Sequence, residues 1–354
     1  MRLVPCGRNA YDPSMRLPKK LLLGLPALAA LAYGLWWWQA ANTLDRQIQA
    51  WIEGERSRGA SVEVGALTVS GFPLWVRAEA TAITYRRADG LTWQGSSLMG
   101  QARPWRITDI ALELPGPHAL RLPAQNSMPV EAHFRDGRGQ VAMTLGGTPT
   151  DARLTLDEVA LNGPPGTGTV TMDALDVTAS QPPTPPADHT AAGFTVALEA
   201  RGARLPVPAE FGLGTAVERL TLAGRVMGAP PKALDSAALA AWTAAGGVLN
   251  LDNLDVVWGP LALATSGTLA MDEELQPEGA FTAEVRGPFA LIDALVNAGQ
   301  IKAKDAGMAK TAVSLFSGTK PGATPEKAAF PLTIQNHAVW VGPLKLAPMP
   351  RLSW

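Results

Sequence analysis

The stretch SVEVGALTVSGFPLWVRAEATAITY, residues 61–85, decides the fold. Apolar residues recur at close to every second position. Val62, Val64, Leu67 and Val69 lead into Ser70-Gly71-Phe72-Pro73, and Leu74, Val76, Ala78, Ala80 and Ile83 follow. Successive strand side chains point to opposite faces, so this period predicts two strands, each burying one face, that reverse at the Gly-Phe-Pro turn.

The same signature continues toward the C-terminus. Alternating runs at 107–114, 130–135, 140–145, 152–161 and 169–179 are bounded by Gly, Pro or Asn/Asp clusters. Sequential strands without intervening helices predict antiparallel pairing. The Pro-rich QPPTPPADHT at 181–190 is the strongest internal break, read either as a solvated linker or as a long hairpin loop. It separates β regions at 60–180 and 191–354, and strands resume at 193–203 and 216–227. Helices are expected at about 233–245, closed by Gly246-Gly247, and at 288–298 and 302–316, broken by Gly299. The Gly-Pro-Leu elements at 259 and 342, 83 residues apart, each follow a strand-like run and open another, as a repeated hairpin or bend would.

Upstream, residues 21–38 read LLLGLPALAALAYGLWWW, with no charge. At 1.5 Å per residue such a helix spans roughly 27 Å, close to a bilayer's hydrocarbon thickness. Leu21, Leu25, Leu28 and Leu31 supply its apolar body, and Trp36, Trp37 and Trp38 fall where an aromatic belt meets the headgroups. Arg16, Lys19 and Lys20 precede the run, which predicts a cytoplasmic N-terminus and an exported main domain. A cleaved signal peptide is the weaker reading, because three tryptophans stand where small residues should mark the cleavage site; a buried helix of a soluble protein fits the flanking charges worse still. Residues 1–20 form the leader, with Met15 the better start. Residues 42–58 then place Leu44, Ile48, Trp51 and Ile52 on one helical face, which suits packing on the sheet better than lying on a membrane surface.

In the 354 residues, 47% are hydrophobic and 17% charged, enough for a sizeable core, and the net charge of −1 gives no reason to expect a nucleic-acid partner. The 35 Gly and 30 Pro are interleaved with apolar alternation, which means many turns and not disorder. The one cysteine, Cys6, precedes the apolar run, so the main domain holds no disulfide. His118, His133, His189 and His337 show no ligand spacing, no Gly-x-Ser-x-Gly elbow occurs, and Gly163-Pro-Pro-Gly-Thr-Gly-Thr lacks the lysine of a phosphate loop. The pairs Asp157-Glu158 and Glu273-Glu274 would point to opposite faces of a strand. No catalytic, cofactor or metal residue is therefore assigned, and the expectation is a protein that is not an enzyme. Among the dispersed tryptophans, Trp75, Trp258 and Trp340 are candidates to line an apolar groove, though packing in a core is the commoner use.

Val69-Ser70-Gly71-Phe72-Pro73-Leu74, Ala102-Arg103-Pro104-Trp105, Leu114-Pro115-Gly116-Pro117-His118, Ser266-Gly267-Thr268-Leu269 and the closing Gly342-Pro343-Leu344 together resemble the proteobacterial family of uncharacterised domains numbered 2125. The resemblance implies a Gram-negative envelope protein, alphaproteobacterial in type, and transfers no catalytic residues. A looser likeness, of architecture and turn motifs only, is to AsmA-like inner-membrane proteins, some of which are associated with lipid transport or outer-membrane assembly.

The expected architecture is mainly β: an N-terminal transmembrane helix, then a large antiparallel curved sheet forming a half-open barrel or trough, with a few helices in the C-terminal half. The expected setting is the bacterial inner membrane, single-pass, with the main domain periplasmic. Lipid handling or envelope assembly through an apolar β trough is the favoured function, its partners the bilayer and either lipid or another envelope protein. The alternative is a non-enzymatic structural or protein-interaction domain.

Overall fold

The computed structural model describes residues 19–123, 130–163, 168–206, 213–231, 236–317, 324–342 and 344–352. Helix α1 (Lys19–Ser57) leads to β1 (Ser61–Glu63), β2 (Ala66–Ser70), β3 (Val76–Arg86), β4 (Thr92–Arg103), β5 (Arg106–Leu114) and β6 (His118–Arg121). Then come β7 (Glu131–Phe134), β8 (Asp136–Met143), β9 (Pro149–Asn162), β10 (Thr169–Ser180), β11 (Ala192–Arg201), β12 (Ala203–Arg204), β13 (Ala216–Val217) and β14 (Arg219–Met227). After α2 (Ser236–Ala244) follow β15 (Leu249–Trp258), β16 (Leu261–Met271) and β17 (Pro277–Arg286). The chain closes with α3 (Pro288–Asn297), α4 (Ala303–Ser317), β18 (Lys327–Gln335), β19 (Ala338–Val341) and β20 (Leu344–Pro348).

The 20 strands among the described residues belong to one sheet. Pairing is antiparallel and nearly sequential. From one edge, β1 and β2 lie side by side along β3, then β4 follows, then β5 with β6, then β8 with β7, then β9 and β10. β11 with β12, β14 with β13, and β15 to β20 in chain order complete it. Among the described residues β1 and β2 pair only with β3, and β20 only with β19, so the sheet does not close into a barrel.

Several expectations change in detail. Ser180 pairs directly with Thr195, so the Pro-rich 181–190 is a hairpin loop within a continuous sheet and not a linker. Strand β4 lacked a sequence signal because its inward-facing positions include Gly95, Gly100 and Ala102, which carry little apolar bulk. The apolar run and the 42–58 stripe lie on one unbroken helix, α1, with Pro26 inside it. The Gly-Pro-Leu repeat falls where β15 gives way to β16 and β19 to β20. Gly259 and Gly342 adopt φ of 53° and 54°, open to glycine without strain, while Pro343 lies outside the described residues. Met15, residues 164–167 and 233–235, and the side chains of Leu21 and Leu25, also lie outside them.

A line of backbone breaks crosses the first two-thirds of the sheet. Between β1 and β2, Gly65 N–H donates to the Thr81 carbonyl at 2.9 Å. Next to it Ala82 adopts φ 49°, and the β3–β4 ladder steps from Thr81↔Ser97 to Ile83↔Gly95. The line continues through Gly116 (φ 83°), Glu158 (φ 51°) opposite Asp173, and Gly202 (φ 62°). Such breaks bend a strand and shift its alternation by one residue. That shift is why the inward residues of β3 run Val76, Ala78, Ala80 and then Ile83 and Tyr85. On the inside of the bend lie Val62, Ile83, His118, Phe134, Val159, Met172, Ala200, Ala203 and Val217, all buried. Away from this crease most strand residues are half-exposed, and among the described residues no large side chain is fully enclosed. Met227, Thr265, Ala283, Ala328 and Ala338 are buried elsewhere in the sheet, but the hydrophobic cluster of Phe134, Val159, Met172, Ala200, Ala203 and Val217 forms a thin seam along the crease.

His118 is its polar member. Its ring is 2% exposed and lies parallel to Trp93 and Phe134, with centroids 6.0 and 4.7 Å away. Neither ring nitrogen has a well-formed hydrogen bond. Burial holds the imidazole pKa below its ordinary 6.5, and the nearby Leu114 and Pro115 carbonyls and the Asp136 carboxylate offset this only in part. Gly95 makes room for the ring, since a Cβ there would stand 2.5 Å from Nδ1.

Gly95→Ala is accordingly expected to lower unfolding free energy by about 1–3 kcal/mol, because a ring wedged between two aromatics cannot move aside. The pH response has a definite sign. The native imidazole stays neutral while the unfolded chain takes up a proton as pH falls through about 6.5, so stability is full above that pH and declines below it. His118→Phe preserves the stack and should flatten this decline, read from denaturant midpoints at about pH 7.5 and about pH 5.5. An unchanged decline would show that another group is responsible.

Candidate functional site

A cavity of about 1060 Å³ lies between α1 and the inner face of β1 to β5. Ligand pockets generally measure about 300–1,000 Å³, so this one is at the upper end. One wall is α1, through Trp36, Ala40, Leu44, Ile48, Trp51 and Ile52. The floor consists of the inward residues of the sheet: Val62, Leu67, Val76, Ala78, Ala80, Ile83, Leu98, Ile110 and Leu112. Tyr85 and Trp93 close the end nearest the crease, and Ile107 with residues 143–147 borders the other. Only a few polar side chains, among them Gln39, Gln47 and Gln101, reach it.

The cavity exists because α1 is fastened at two separated places. At the crease end Ile52 is buried, Trp51 stacks on Tyr85 with centroids 6.2 Å apart, and Tyr85 O–H donates to Glu55 at 2.8 Å. Arg56 reaches the Val62 carbonyl at 2.7 Å. At the other end Trp37 Nε1–H donates to the Trp75 carbonyl at 2.7 Å and packs edge-on against Phe72, and the Tyr33 hydroxyl donates to the Pro73 carbonyl. Between these points the small residues Ala78, Ala80, Gly100 and Ala102 do not fill the gap under the helix. Of the stripe, Ile52 is buried against the sheet, while Leu44 and Ile48 face the cavity and Trp51 stacks on Tyr85.

Trp75, Trp258 and Trp340 do not come together here. Trp75 lies beneath the Arg103 guanidinium, 5.2 Å from its ring centre. Trp258 packs against the crease core and donates to the Gly214 carbonyl at 2.8 Å, and Trp340 donates to the Gln335 carbonyl at 3.2 Å. The cavity aromatics are instead Trp36, Trp51, Tyr85 and Trp93. Of these the helical period singled out Trp51 alone; Trp93 sits on the strand that had no signal.

Residues 26–32 of α1, with Leu28 and Leu31, are exposed, as are Trp36 and Trp38, whereas Trp37 turns toward the sheet. Among the described residues no helix is long and apolar enough to cross a membrane. On the outer face a smaller polar cleft holds Glu131 between Arg121 and His133; the Arg121 hydrogen bond at 2.8 Å holds the Glu131 carboxyl below its usual range. Among the described residues no three His, Cys, Asp or Glu converge as metal ligands.

The model of a family described as an uncharacterized protein conserved in bacteria (DUF2125) matches residues 37–350, from the second of the three adjacent tryptophans through β20. No curated protein and no solved structure matches the chain.

The two-point fastening has a measurable consequence. Ile52→Ala should cost about 2–4 kcal/mol in chemical denaturation, as expected for truncating a buried Ile. Trp36→Ala, at the open border of the cavity, should change stability by less than about 0.5 kcal/mol.

Proposed function

The chain belongs to the bacterial family DUF2125, and we propose that this member is a single-pass envelope protein that takes a lipid acyl chain between α1 and its sheet. The cavity of about 1060 Å³ carries the proposal, because its lining is apolar on both the helix and the sheet side. The apolar run at 21–38, with basic residues before it, supports an inner-membrane anchor with the N-terminus cytoplasmic and the sheet periplasmic. The AsmA-like turn motifs agree with lipid handling.

Energetics restrict how such a cavity fills. Each methylene moved from water to an apolar site gains about 0.8 kcal/mol, but a bilayer lipid has already made that gain. Transfer from bilayer to cavity is then nearly neutral, while a path through water costs about 0.8 kcal/mol for every methylene exposed on the way. Tethering the cavity at the membrane removes that barrier.

A second reading rests on the open edge. β20 pairs with one neighbour among the described residues, so an envelope partner could add a strand there.

Full-length protein purified from membranes should carry acyl lipid detectable by mass spectrometry. Ala78→Phe combined with Gly100→Phe fills the floor and should lower the lipid-to-protein ratio at least about fivefold with secondary structure unchanged. Wild-type protein without lipid, or equal loading of both proteins, would reject lipid uptake.

A further inference from the structure

Alternate turns of an antiparallel meander emerge on the same side, so the β2–β3, β4–β5 and β8–β9 turns share one end of the sheet. The tips of all three are apolar and exposed: Phe72 and Leu74, Trp105 and Ile107, and Leu145, the last 92% exposed. Burial would favour these side chains by about 1.5–3 kcal/mol each, yet the fold presents them to solvent. Contacts tie the end together. Trp37 and Tyr33 of α1 hold the first turn, Arg103 lies over Trp75, and Ile107, Leu145 and Trp36 border the same side of the cavity. The opposite-end turn between β3 and β4 is polar and charged instead, reading Arg87-Ala88-Asp89-Gly90.

Charge follows the same asymmetry. Arg103 and Arg106 lie within two residues of these tips and Arg77 three residues from Leu74; Arg106 is paired to Asp109 at 3.1 Å, and Arg77 donates to the Gln101 side-chain carbonyl at 2.9 Å. On the strands that meet at these three turns the next acids, Glu79 and Asp151, lie further along; Asp188 is in the following loop at this end. The apolar portion of α1 leaves the sheet from this end, since Tyr33 makes the first hydrogen bond to the sheet among the described side chains and residues 26–32 are exposed.

We propose that this end is a docking rim that rests on an anionic phospholipid bilayer, its turn tips inserted at the headgroup level and its arginines on lipid phosphates. It rests on reading α1 as an anchor, because the helix then brings the bilayer to the height of Trp36 and Trp38. Aromatic and aliphatic side chains with flanking arginines are the chemistry of interfacial insertion. Docking there sets the open border of the cavity against the acyl region, the direct path that lipid exchange requires.

The test uses the full chain with Cys6→Ser, reconstituted in phosphatidylglycerol nanodiscs. An environment-sensitive fluorophore is attached in turn at Leu145→Cys, Trp105→Cys and Ala88→Cys. Quenching by lipids spin-labelled near the headgroup should be at least about threefold stronger at the first two sites than at the third. Neutralising Arg77, Arg103 and Arg106 together to Gln should lower it at both rim sites. Quenching no greater than at position 88 would overturn the proposal. So would shielding of the rim probes in native membranes but not in nanodiscs, which would mean that a protein covers the rim. Alkaline extraction of the membranes tests the anchor separately: release of the chain rejects anchoring, whereas retention without rim quenching rejects docking alone.

Discussion

The line of ladder breaks from Gly65 through Ala82, Glu158 and Gly202 is the constraint on which the remaining architecture rests. A flat antiparallel sheet this wide would leave both faces in water and gain little from hydrophobic burial. Breaking successive strands at the same height across the first two-thirds of the sheet bends it, and the inside of the bend is covered from two sides at once. The cluster of Phe134, Val159, Met172, Ala200, Ala203 and Val217 collects there. The left-handed conformations of Ala82 and Glu158 cost of order 1–3 kcal/mol each, and burial of neighbours such as Ile83 and Val159 offsets that cost.

The crease and the cavity differ in what fills the space between two apolar walls. At the crease, Phe134, Met172 and the His118 stack are large enough to meet. Toward the turns, Ala78, Ala80, Gly100 and Ala102 are too small to reach α1, which is held off by its own fastening at Trp37 and Ile52. The helix is therefore a lid on a space that the sheet cannot fill, and the residues that define the space are distinguished by their smallness.

This contrast explains how much was legible in the sequence. The alternation from Val62 to Ile83 announced the strands, and its two three-residue steps, Val64 to Leu67 and Ala80 to Ile83, already contained the breaks. The stripe Leu44, Ile48, Trp51 and Ile52 marked the helical wall. The sheet side of the site was hidden because periodicity detects bulk, and β4 presents Gly95, Gly100 and Ala102 inward. His118 was equally opaque: its burial depends on Trp93, Gly95 and Phe134, brought together by pairings of β4 with β6 and of β6 with β7. Large aromatics attract attention in a sequence, yet Trp75, Trp258 and Trp340 are each satisfied locally by a backbone carbonyl or an arginine.

The nearly sequential pairing of β3 to β20 has a further consequence for how the molecule assembles. Contacts separated by short stretches of chain close small loops, so each hairpin can form with little entropic cost and add to the one before it. Pairing of strands that are neighbours in sequence keeps the contact order low relative to the length of the chain. Cooperativity then decays along the sheet as it does along a solenoid, with each rung coupled mainly to its two neighbours. Loss of the terminal strands should fray one edge and leave the creased end, with α1 and its cavity, standing.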